Sequence, residues 1–297
     1  MIKIAMLGCD SSHTEAYAEL LNNKKSDFYG RASIDWLWGE DMAQAKEKAA
    51  QVNIKNIAST PEEAVEHADI VFVSGRYGDS HFYPASVAVK AKKPTYVDKP
   101  FTNQLNEAIQ LSRLARAMKT PLCSFTPFVF SNEFQTLFKK SSTIEGLHSI
   151  HISGPADSVY LNNERSKQLP FYGVHVTDLC VALCGSGIKN VFAQKNEKGI
   201  SAVAEHKNGI HFTLNFPYGI KELYHCSLYG AEEVLHFNID AWGNFYHNTL
   251  DYLLNHLPKG QLEAVPLENA CESIALLNAI ELSLKLNKPV SIDYEKV

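Results

Sequence analysis

The chain has 297 residues, of which 45% are hydrophobic and 21% are charged, with a formal net charge of −5. This composition is typical of a globular protein of one or two domains, and it lacks the basic footprint of a nucleic-acid-binding protein. No apolar run is long enough to span a bilayer, so we expect no membrane partner. The six cysteines form no C-x-x-C pair. Together with an apolar strand at the amino terminus in place of a signal peptide, they indicate reduced thiols, a cytoplasmic location and no metal site.

The first part of the chain alternates between strand and helix patterns. Apolar strand runs are predicted at 2–7, 33–38, 68–73, 95–97 and 121–125, and helices are predicted from 12 and 60 and over 41–52, 83–92 and 104–118. Ser12-His13-Thr14-Glu15 has the spacing of a capping box, so we expect Ser12 to cap the first helix. The alternation predicts an α/β unit, a doubly wound parallel Rossmann-like domain, over residues 1–123.

The second part is richer in strands. They are predicted at 147–153, 190–195, 202–207, 210–216, 223–229, 234–239 and 290–292, with helices at 132–140, 172–183, 245–256 and 267–286. Asn208-Gly209 is a strong hairpin signal between two of these strands. We therefore expect an α+β domain on a largely antiparallel open sheet over residues 124–297, whose closing helix, 267–286, could pack back on the first domain.

The strand at 95–97 stops at Asp98-Lys99-Pro100. Proline cannot donate to a sheet and pushes the preceding residue out of the helical region, so Lys99 is expected to be extended at the end of the strand. Ligands of parallel sheets bind outside the carboxyl ends of the strands, where a lysine can act as an electrophile or acid. The alternative is a surface lysine before a turn, which this stretch alone favours.

Several motifs together resemble one family. They are Ser80-His81 before a helix, Asp98-Lys99-Pro100 after a strand, Gly173-Val174-His175-Val176-Thr177-Asp178 on a helix, the turn Tyr229 to Val234, and the long closing helix. In this order they resemble the glucose–fructose oxidoreductase / inositol dehydrogenase (Gfo/Idh/MocA) family over nearly the whole chain. The resemblance implies an amino-terminal Rossmann domain that binds NAD or NADP. It also implies a carboxy-terminal sheet domain that carries substrate and forms dimers or tetramers, and oxidation or reduction of a sugar, polyol or related small molecule.

The resemblance also suggests catalytic residues. Removing a proton from an alcohol requires a base, and His175 is the candidate because histidine titrates near neutral pH. Lys99 would polarise the same oxygen, and Asp178 follows His175 by one helical turn. We expect Lys99 and His175 to converge across a crevice between the domains. The alternatives are a core or capping role for His175 and a capping or pairing role for Asp178.

Substrate and cofactor contacts follow from position. Tyr160, Arg165 and Tyr172 lie in or beside a polar loop and could join Lys99 and His175 in binding substrate, although a solvated loop is the alternative. The predicted cofactor-binding set is Gly8, Asp10, Ser11, Ser12, His13, Glu40, Ser74, His81, Asp98 and Lys99.

Three departures from the family pattern stand beside these matches. In the G-x-G-x-x-G fingerprint, Asp10 and His13 take the places of the second and third glycines. A carboxylate repels phosphate, although the helix amino terminus still favours an anion and Ser11, Ser12 and His13 could supply donors. Gly39 falls where a ribose-binding acid is expected, and Glu40 comes just after it. The sequence therefore does not decide whether the cofactor is NAD or NADP.

The third departure lies near the candidate base. Phe171 stands four residues before His175, where family members often have an aspartate. Lys99 and His175 favour an NAD(P)-dependent oxidoreductase acting on CH–OH groups. The altered glycine loop and Phe171 favour the alternative, a non-catalytic binding or regulatory member of the same family.

Overall fold

A computed structural model describes residues 1–161, 163–240 and 243–293 of the chain. The strands are β1 (Ile2–Leu7), β2 (Ala32–Trp38), β3 (Asn56–Ile57), β4 (Ile70–Val73), β5 (Thr95–Val97), β6 (Leu122–Ser124), β7 (Ser149–Ser153), β8 (Ile188–Asn196), β9 (Gly199–His206), β10 (His211–Pro217), β11 (Leu223–Tyr229), β12 (Val234–Asp240) and β13 (Val290–Ser291). The helices are α1 (Ser12–Asn22), α2 (Met42–Gln51), α3 (Pro61–Glu66), α4 (Phe82–Lys90), α5 (Leu105–Met118), α6 (Asn132–Ser141), α7 (Leu169–Cys184), α8 (Phe245–His256) and α9 (Leu267–Leu286).

The chain forms two compact units. The first contains Met1–Thr102, Asn106–Ser124 and Tyr246–Leu267. The second contains Asn103–Leu105, Phe125–Phe245 and the described chain from Glu268 onward. The first unit therefore includes most of α8, which follows the last long strand of the second unit in sequence.

The first unit is built on a six-stranded sheet in the order β3-β2-β1-β4-β5-β6. All of its neighbouring strands are parallel, which confirms the predicted doubly wound sheet. β4 and β5 are buried along their whole length, and helices cover both faces of such sheets, so these strands are apolar without alternation. The two-residue strand β3 was not predicted, because two residues show no period.

The start of α1 differs from the prediction by one residue. Ser11 is the cap: its backbone is extended and its hydroxyl accepts a hydrogen bond from the backbone nitrogen of His13 at 3.1 Å. Ser12 is already helical, so the predicted capping box starting at Ser12 is wrong. The caps at Asp41 and Thr60 place the starts of α2 and α3 within a residue of their predicted positions.

The second unit is built on a seven-stranded sheet in the order β12-β11-β7-β10-β9-β8-β13. The β7–β10 pair is parallel and the other neighbours are antiparallel, which confirms a largely antiparallel sheet. Asn208 and Gly209 form the predicted turn between β9 and β10, with Gly209 at φ +85°. The buried carboxylate of Glu272 accepts hydrogen bonds from the backbone nitrogens of Gly187 and Ile188, which holds α9 against the start of β8.

The described ranges were compared with three expectations, on membrane spans, cysteines and metal sites. No helix within them is long and apolar enough to cross a membrane. All six cysteines lie in these ranges and are free thiols. The same ranges contain no group of three or more histidine, cysteine or acidic side chains arranged to hold a metal ion.

Candidate active site

A tight turn joins β1 to α1 in the first unit. Gly8 has φ +127°, and a Cβ atom there would collide with the backbone nitrogen of Gly75, which follows β4. The hydroxyl of Thr14 donates to the Gly8 carbonyl oxygen at 3.1 Å and lies 3.2 Å from the buried hydroxyl of Ser74. The loops after β1 and β4 are thus held together at the point where strand order reverses, the usual ligand site of such sheets.

Asp10 is bonded to the loop after β4. Its Oδ1 accepts a hydrogen bond from the backbone nitrogen of Arg76 at 2.9 Å, and Nε of Arg76 donates to the Asp10 carbonyl oxygen at 2.6 Å. The carboxylate therefore has a defined partner. The charge of the Arg76 guanidinium opposes the repulsion that Asp10 would otherwise exert on a phosphate group.

The start of α1 carries two serine hydroxyls and the imidazole of His13. The Ser11 hydroxyl is engaged as the cap, whereas Ser12 is exposed at the helix amino terminus. The side chain of His13 turns the other way, and its Nδ1 pairs with Oδ2 of Asp98.

Asp98 is a buried carboxylate at the carboxyl end of β5, with 1% of its surface exposed. Its Oδ1 accepts a hydrogen bond from the hydroxyl of Tyr96 at 3.0 Å. Burial raises the pKa of Asp98, but His13, followed by Lys99 and His81, outweighs burial and holds the pKa below its usual value. Asp98 is therefore an ionised group in the interior.

Lys99 follows this carboxylate and is itself buried, with 6% of its surface exposed, so the surface alternative is wrong. The peptide bond from Lys99 to Pro100 is cis. His81 braces this turn, because Nδ1 lies 2.8 Å from the Pro100 carbonyl oxygen and Nε2 lies 2.8 Å from the Gly75 carbonyl oxygen. His81 thus positions the loop after β4, and its contact with a cofactor stays a prediction.

Gly39, Glu40 and Asp41 follow β2, and each has a different environment. A Cβ atom at Gly39 would collide with Sγ of Cys9, so an acid at that position would require the Cys9 side chain to move. Asp41 caps α2, and its Oδ1 accepts hydrogen bonds from the backbone nitrogens of Ala43 and Gln44 at 2.8 and 3.2 Å. Glu40 is exposed and remains the predicted acid for a ribose.

In the second unit, His175 lies in the second turn of α7 with 5% of its surface exposed. Its Nδ1 lies 2.6 Å from Oγ1 of the buried Thr126. The same hydroxyl accepts a hydrogen bond from the backbone nitrogen of Phe128 at 3.3 Å. Thr126 therefore helps to fix the orientation of the imidazole.

Two aromatic rings enclose His175. The ring centroids of Phe128 and Tyr224 lie 4.6 and 5.3 Å from the centroid of the imidazole. Tyr224 is in turn seated against Gly154, where a Cβ atom would collide with the tyrosine ring. A glycine at 154 is thus required for Tyr224 to reach the histidine.

A polar pair lies beside these rings. The hydroxyl of Tyr172 donates to Oε1 of Glu222, and the ring of Tyr172 lies 5.9 Å from that of His175. The hydroxyl of Tyr224 is completely buried and has no hydrogen-bond partner in the described parts of the chain. Burial, then Glu222 and Tyr172, raises the pKa of Tyr224, so its phenol stays protonated and able to donate.

The remaining predicted residues lie in α7 or in the segment before it. Asp178 is half-buried one turn beyond His175, and Tyr160 and Arg165 are exposed in the segment before α7. Phe171 is buried and packs on Tyr172, with ring centroids 4.7 Å apart. Phe171 thus supplies no carboxylate at its position, whereas Glu222 places one against the Tyr172 hydroxyl.

Several members of both groups were not predicted from the sequence, namely Arg76, Thr126, Phe128, Glu222 and Tyr224. Partial signals existed, since Tyr224 lies in a predicted strand that begins directly after Glu222, and Thr126-Pro127 is typical of a helix start. Neither signal points to a histidine some 50 residues away.

One protein-family model matches the greater part of the first unit. Residues 2–124 match the model of the Gfo/Idh/MocA oxidoreductase family, described as an NAD-binding Rossmann fold. That description agrees with the cofactor class predicted from the sequence. No curated protein matches the chain by sequence.

Solved structures share the fold of the whole chain. GenD2 from gentamicin A biosynthesis, in complex with NAD, has a TM-score of 0.82 at 14% identity and covers 99% of this chain and 97% of its own. Myo-inositol 2-dehydrogenase from Lactobacillus plantarum has a TM-score of 0.82 at 11% identity, covering 98% and 99%. An oxidoreductase from Agrobacterium radiobacter with NAD+, L-tartaric acid and magnesium has a TM-score of 0.79 at 17% identity, covering 98% of each chain.

Replacing Asp98 by asparagine should destabilise the protein in a pH-dependent way. The pKa of Asp98 in the folded state lies below its usual value, so its ionised form stabilises the fold above the unfolded pKa, about 3.9, and this contribution is lost as the pH falls through the folded pKa. We expect Asp98→Asn to lower the free energy of unfolding by about 2–4 kcal/mol at neutral pH. This difference from wild type should shrink below about pH 4, as measured by urea unfolding.

A matched control is Asp69→Asn, which alters an exposed carboxylate that accepts a hydrogen bond from the Lys3 backbone nitrogen at 2.8 Å. It should change the free energy of unfolding by less than about 1 kcal/mol. A deficit of Asp98→Asn that does not vary with pH would contradict the assigned ionisation.

Replacing Thr126 by valine should release His175. The variant leaves Nδ1 of His175 and the Phe128 backbone nitrogen without their shared partner, which should cost about 1–3 kcal/mol of unfolding free energy. Thr126→Ser keeps the hydroxyl and is expected to retain most of the stability. Nitrogen NMR of the His175 imidazole should show the Nδ1 resonance moving in Thr126→Val alone, and an unchanged resonance would argue against the bond.

Proposed function

We propose that this chain is an NAD(P)-dependent oxidoreductase, because its residues 2–124 match the model of the Gfo/Idh/MocA oxidoreductase family. The reaction is transfer of a hydride to or from a hydroxyl or carbonyl carbon of a sugar, polyol or related small molecule. One observation carries the proposal. Lys99 is buried at the carboxyl end of β5, beside the ionised Asp98 and at the ligand-binding edge of the parallel sheet.

The residues of the first unit fit a dinucleotide. Gly8 permits the close approach of the two loops, and the amino terminus of α1 at Ser11 and Ser12 favours phosphate. Arg76 opposes the charge of Asp10 at the same point. Glu40 would bind a ribose hydroxyl, while Ser74, His81 and the His13–Asp98 pair hold the surrounding loops.

The chain's own residues would manage proton and charge. The bound dinucleotide supplies the hydride acceptor or donor. His175, held at Nδ1 by Thr126, would take the hydroxyl proton at Nε2 during oxidation and return it during reduction. The ammonium of Lys99 would stabilise negative charge on the substrate oxygen. Asp178 would support the histidine from the next helical turn.

The second unit favours a neutral, hydroxylated substrate. The buried Tyr224 hydroxyl can donate a hydrogen bond that no described residue accepts, and a substrate hydroxyl would accept it. Glu222 beside Tyr172 accepts hydrogen bonds but repels a carboxylate. A polyol or sugar satisfies these groups better than an acid such as tartrate, and Tyr160 and Arg165 would contact its outer part.

The first experiment is direct binding of NADH and NADPH, measured by calorimetry and by the shift of the unfolding temperature. Binding of either cofactor supports the proposal. Saturable binding of neither would favour the non-catalytic alternative.

Turnover is then measured with inositols, hexoses and tartrate. Lys99→Ala and His175→Gln should each lower kcat/KM by at least about 100-fold on the preferred substrate. His175→Gln should leave NADH affinity unchanged, because its role is in proton transfer. The control His236→Gln changes an exposed histidine of β12 and should keep wild-type rates. Unchanged rates in the Lys99 or His175 variant would remove that residue from the mechanism.

Glu222 gives a separate test of substrate class. Glu222→Gln keeps an acceptor for the Tyr172 hydroxyl and removes the negative charge. We expect the ratio of kcat/KM for a neutral polyol over a sugar acid to fall by roughly 10-fold. A ratio equal to that of wild type would show that Glu222 does not select substrate.

The proposal includes a homodimer or homotetramer. On one face of the second sheet, Val203, Leu223 and Val234 are apolar side chains with at least half of their surface exposed. Sedimentation should show an assembly that Val203→Lys weakens. A wild-type monomer at tens of micromolar, roughly, would contradict this part of the proposal.

A further inference from the structure

The guanidinium of Arg76 lies against the loop after β1. Its Nε donates to the Asp10 carbonyl oxygen at 2.6 Å and its backbone nitrogen donates to Oδ1 of Asp10 at 2.9 Å. Across the described ranges, its two terminal Nη groups have no hydrogen bond and no ion pair. Arg76 is half-buried, and its guanidinium is anchored through Nε.

The surroundings of this guanidinium identify the kind of ligand it would take. It lies at the turn of Gly8, where the loops after β1 and β4 touch, and Ser12 opens α1 beside Asp10. The helix amino terminus carries partial positive charge, so an anion there interacts with both the helix and the arginine. A guanidinium donates two parallel hydrogen bonds that match phosphate oxygens.

We propose that the Nη groups of Arg76 bind a pyrophosphate oxygen of the dinucleotide. This contact takes the place of the close backbone approach that a second glycine at position 10 would allow. The inference rests on the proposed function, and it assigns a recognition role to a residue outside the glycine-rich loop. Asp10 then orients Arg76 and does not itself face the phosphate.

Calorimetry with ADP-ribose, adenosine and inorganic pyrophosphate tests this assignment in the full chain. ADP-ribose carries the pyrophosphate and adenosine lacks it. Arg76→Gln should weaken ADP-ribose binding by roughly 10- to 100-fold, because a charge-assisted hydrogen bond is lost, and should leave adenosine binding unchanged. Arg76→Lys, which keeps the charge without the fork, should fall between wild type and Arg76→Gln. Pyrophosphate alone should compete with ADP-ribose in wild type and more weakly in Arg76→Gln.

Salt dependence and a matched variant test whether the loss of affinity in Arg76→Gln comes only from the change in net charge. The affinity of wild type for ADP-ribose should fall with salt more steeply than that of Arg76→Gln. Lys285→Gln removes the same charge from an exposed position on α9 and should leave the affinity and its salt dependence unchanged. Unfolding temperatures of the free proteins establish that each variant is folded, and Arg76→Lys carries the comparison if Arg76→Gln is not.

The outcomes separate this inference from the proposed function. If wild type binds NADH and ADP-ribose and Arg76→Gln binds ADP-ribose equally well, the inference is overturned and the proposed function stands. Equal weakening of adenosine and ADP-ribose would also overturn it, because the loss would then be structural. If wild type binds none of the dinucleotides, both the proposed function and this inference fail.

Discussion

The buried carboxylate of Asp98 is the constraint on which the polar edge of the first unit depends. Moving a carboxylate out of water costs several kcal/mol unless hydrogen bonds and opposite charge replace the lost hydration. Tyr96 supplies a hydrogen bond, and His13 and Lys99 supply favourable electrostatic interactions. Because His13 belongs to the first turn of α1 and Asp98 ends β5, one pair ties a helix start to a strand end. The ring of Tyr246 packs edge-on against His13 at 5.1 Å and closes this group.

Most of the elements could be predicted from the sequence, because each depends on a local pattern. The ranges of β1, β5, β11, α8 and α9 agree residue for residue with the apolar runs and stripes that predicted them. The predicted cap of α1 was wrong because two neighbouring serines could each serve as the cap. Ser11 and Ser12 can each cap a helix, and the deciding factor is the extended backbone of Ser11 after the Gly8 turn.

The side-chain contacts between distant residues could not be predicted in the same way. An apolar stripe shows that α8 is a helix, but the stripe does not show that Tyr246 packs on Tyr17 in the first unit, with ring centroids 5.6 Å apart. The same limit applies to His175. Its motif marks it as a candidate base, whereas Thr126, which holds its Nδ1, comes from a loop 49 residues earlier. Side-chain pairing over such separations depends on the folded backbone, which no short pattern contains.

The departures from the glycine fingerprint are each matched by a partner in the first unit. Gly39 leaves room for the Cys9 thiol, and the charge of Asp10 is met by Arg76. His13, in place of a small residue, pairs with Asp98.

The hydrogen bond between Asp10 and the Arg76 backbone, and the ion pair between His13 and Asp98, indicate a loop with a defined structure of its own. The glycine-poor sequence is therefore compatible with an anion site at this edge of the sheet, in which side chains provide what backbone provides in the usual fingerprint. This physical consistency weighs against reading Asp10 and His13 as signs of a degenerate nucleotide site.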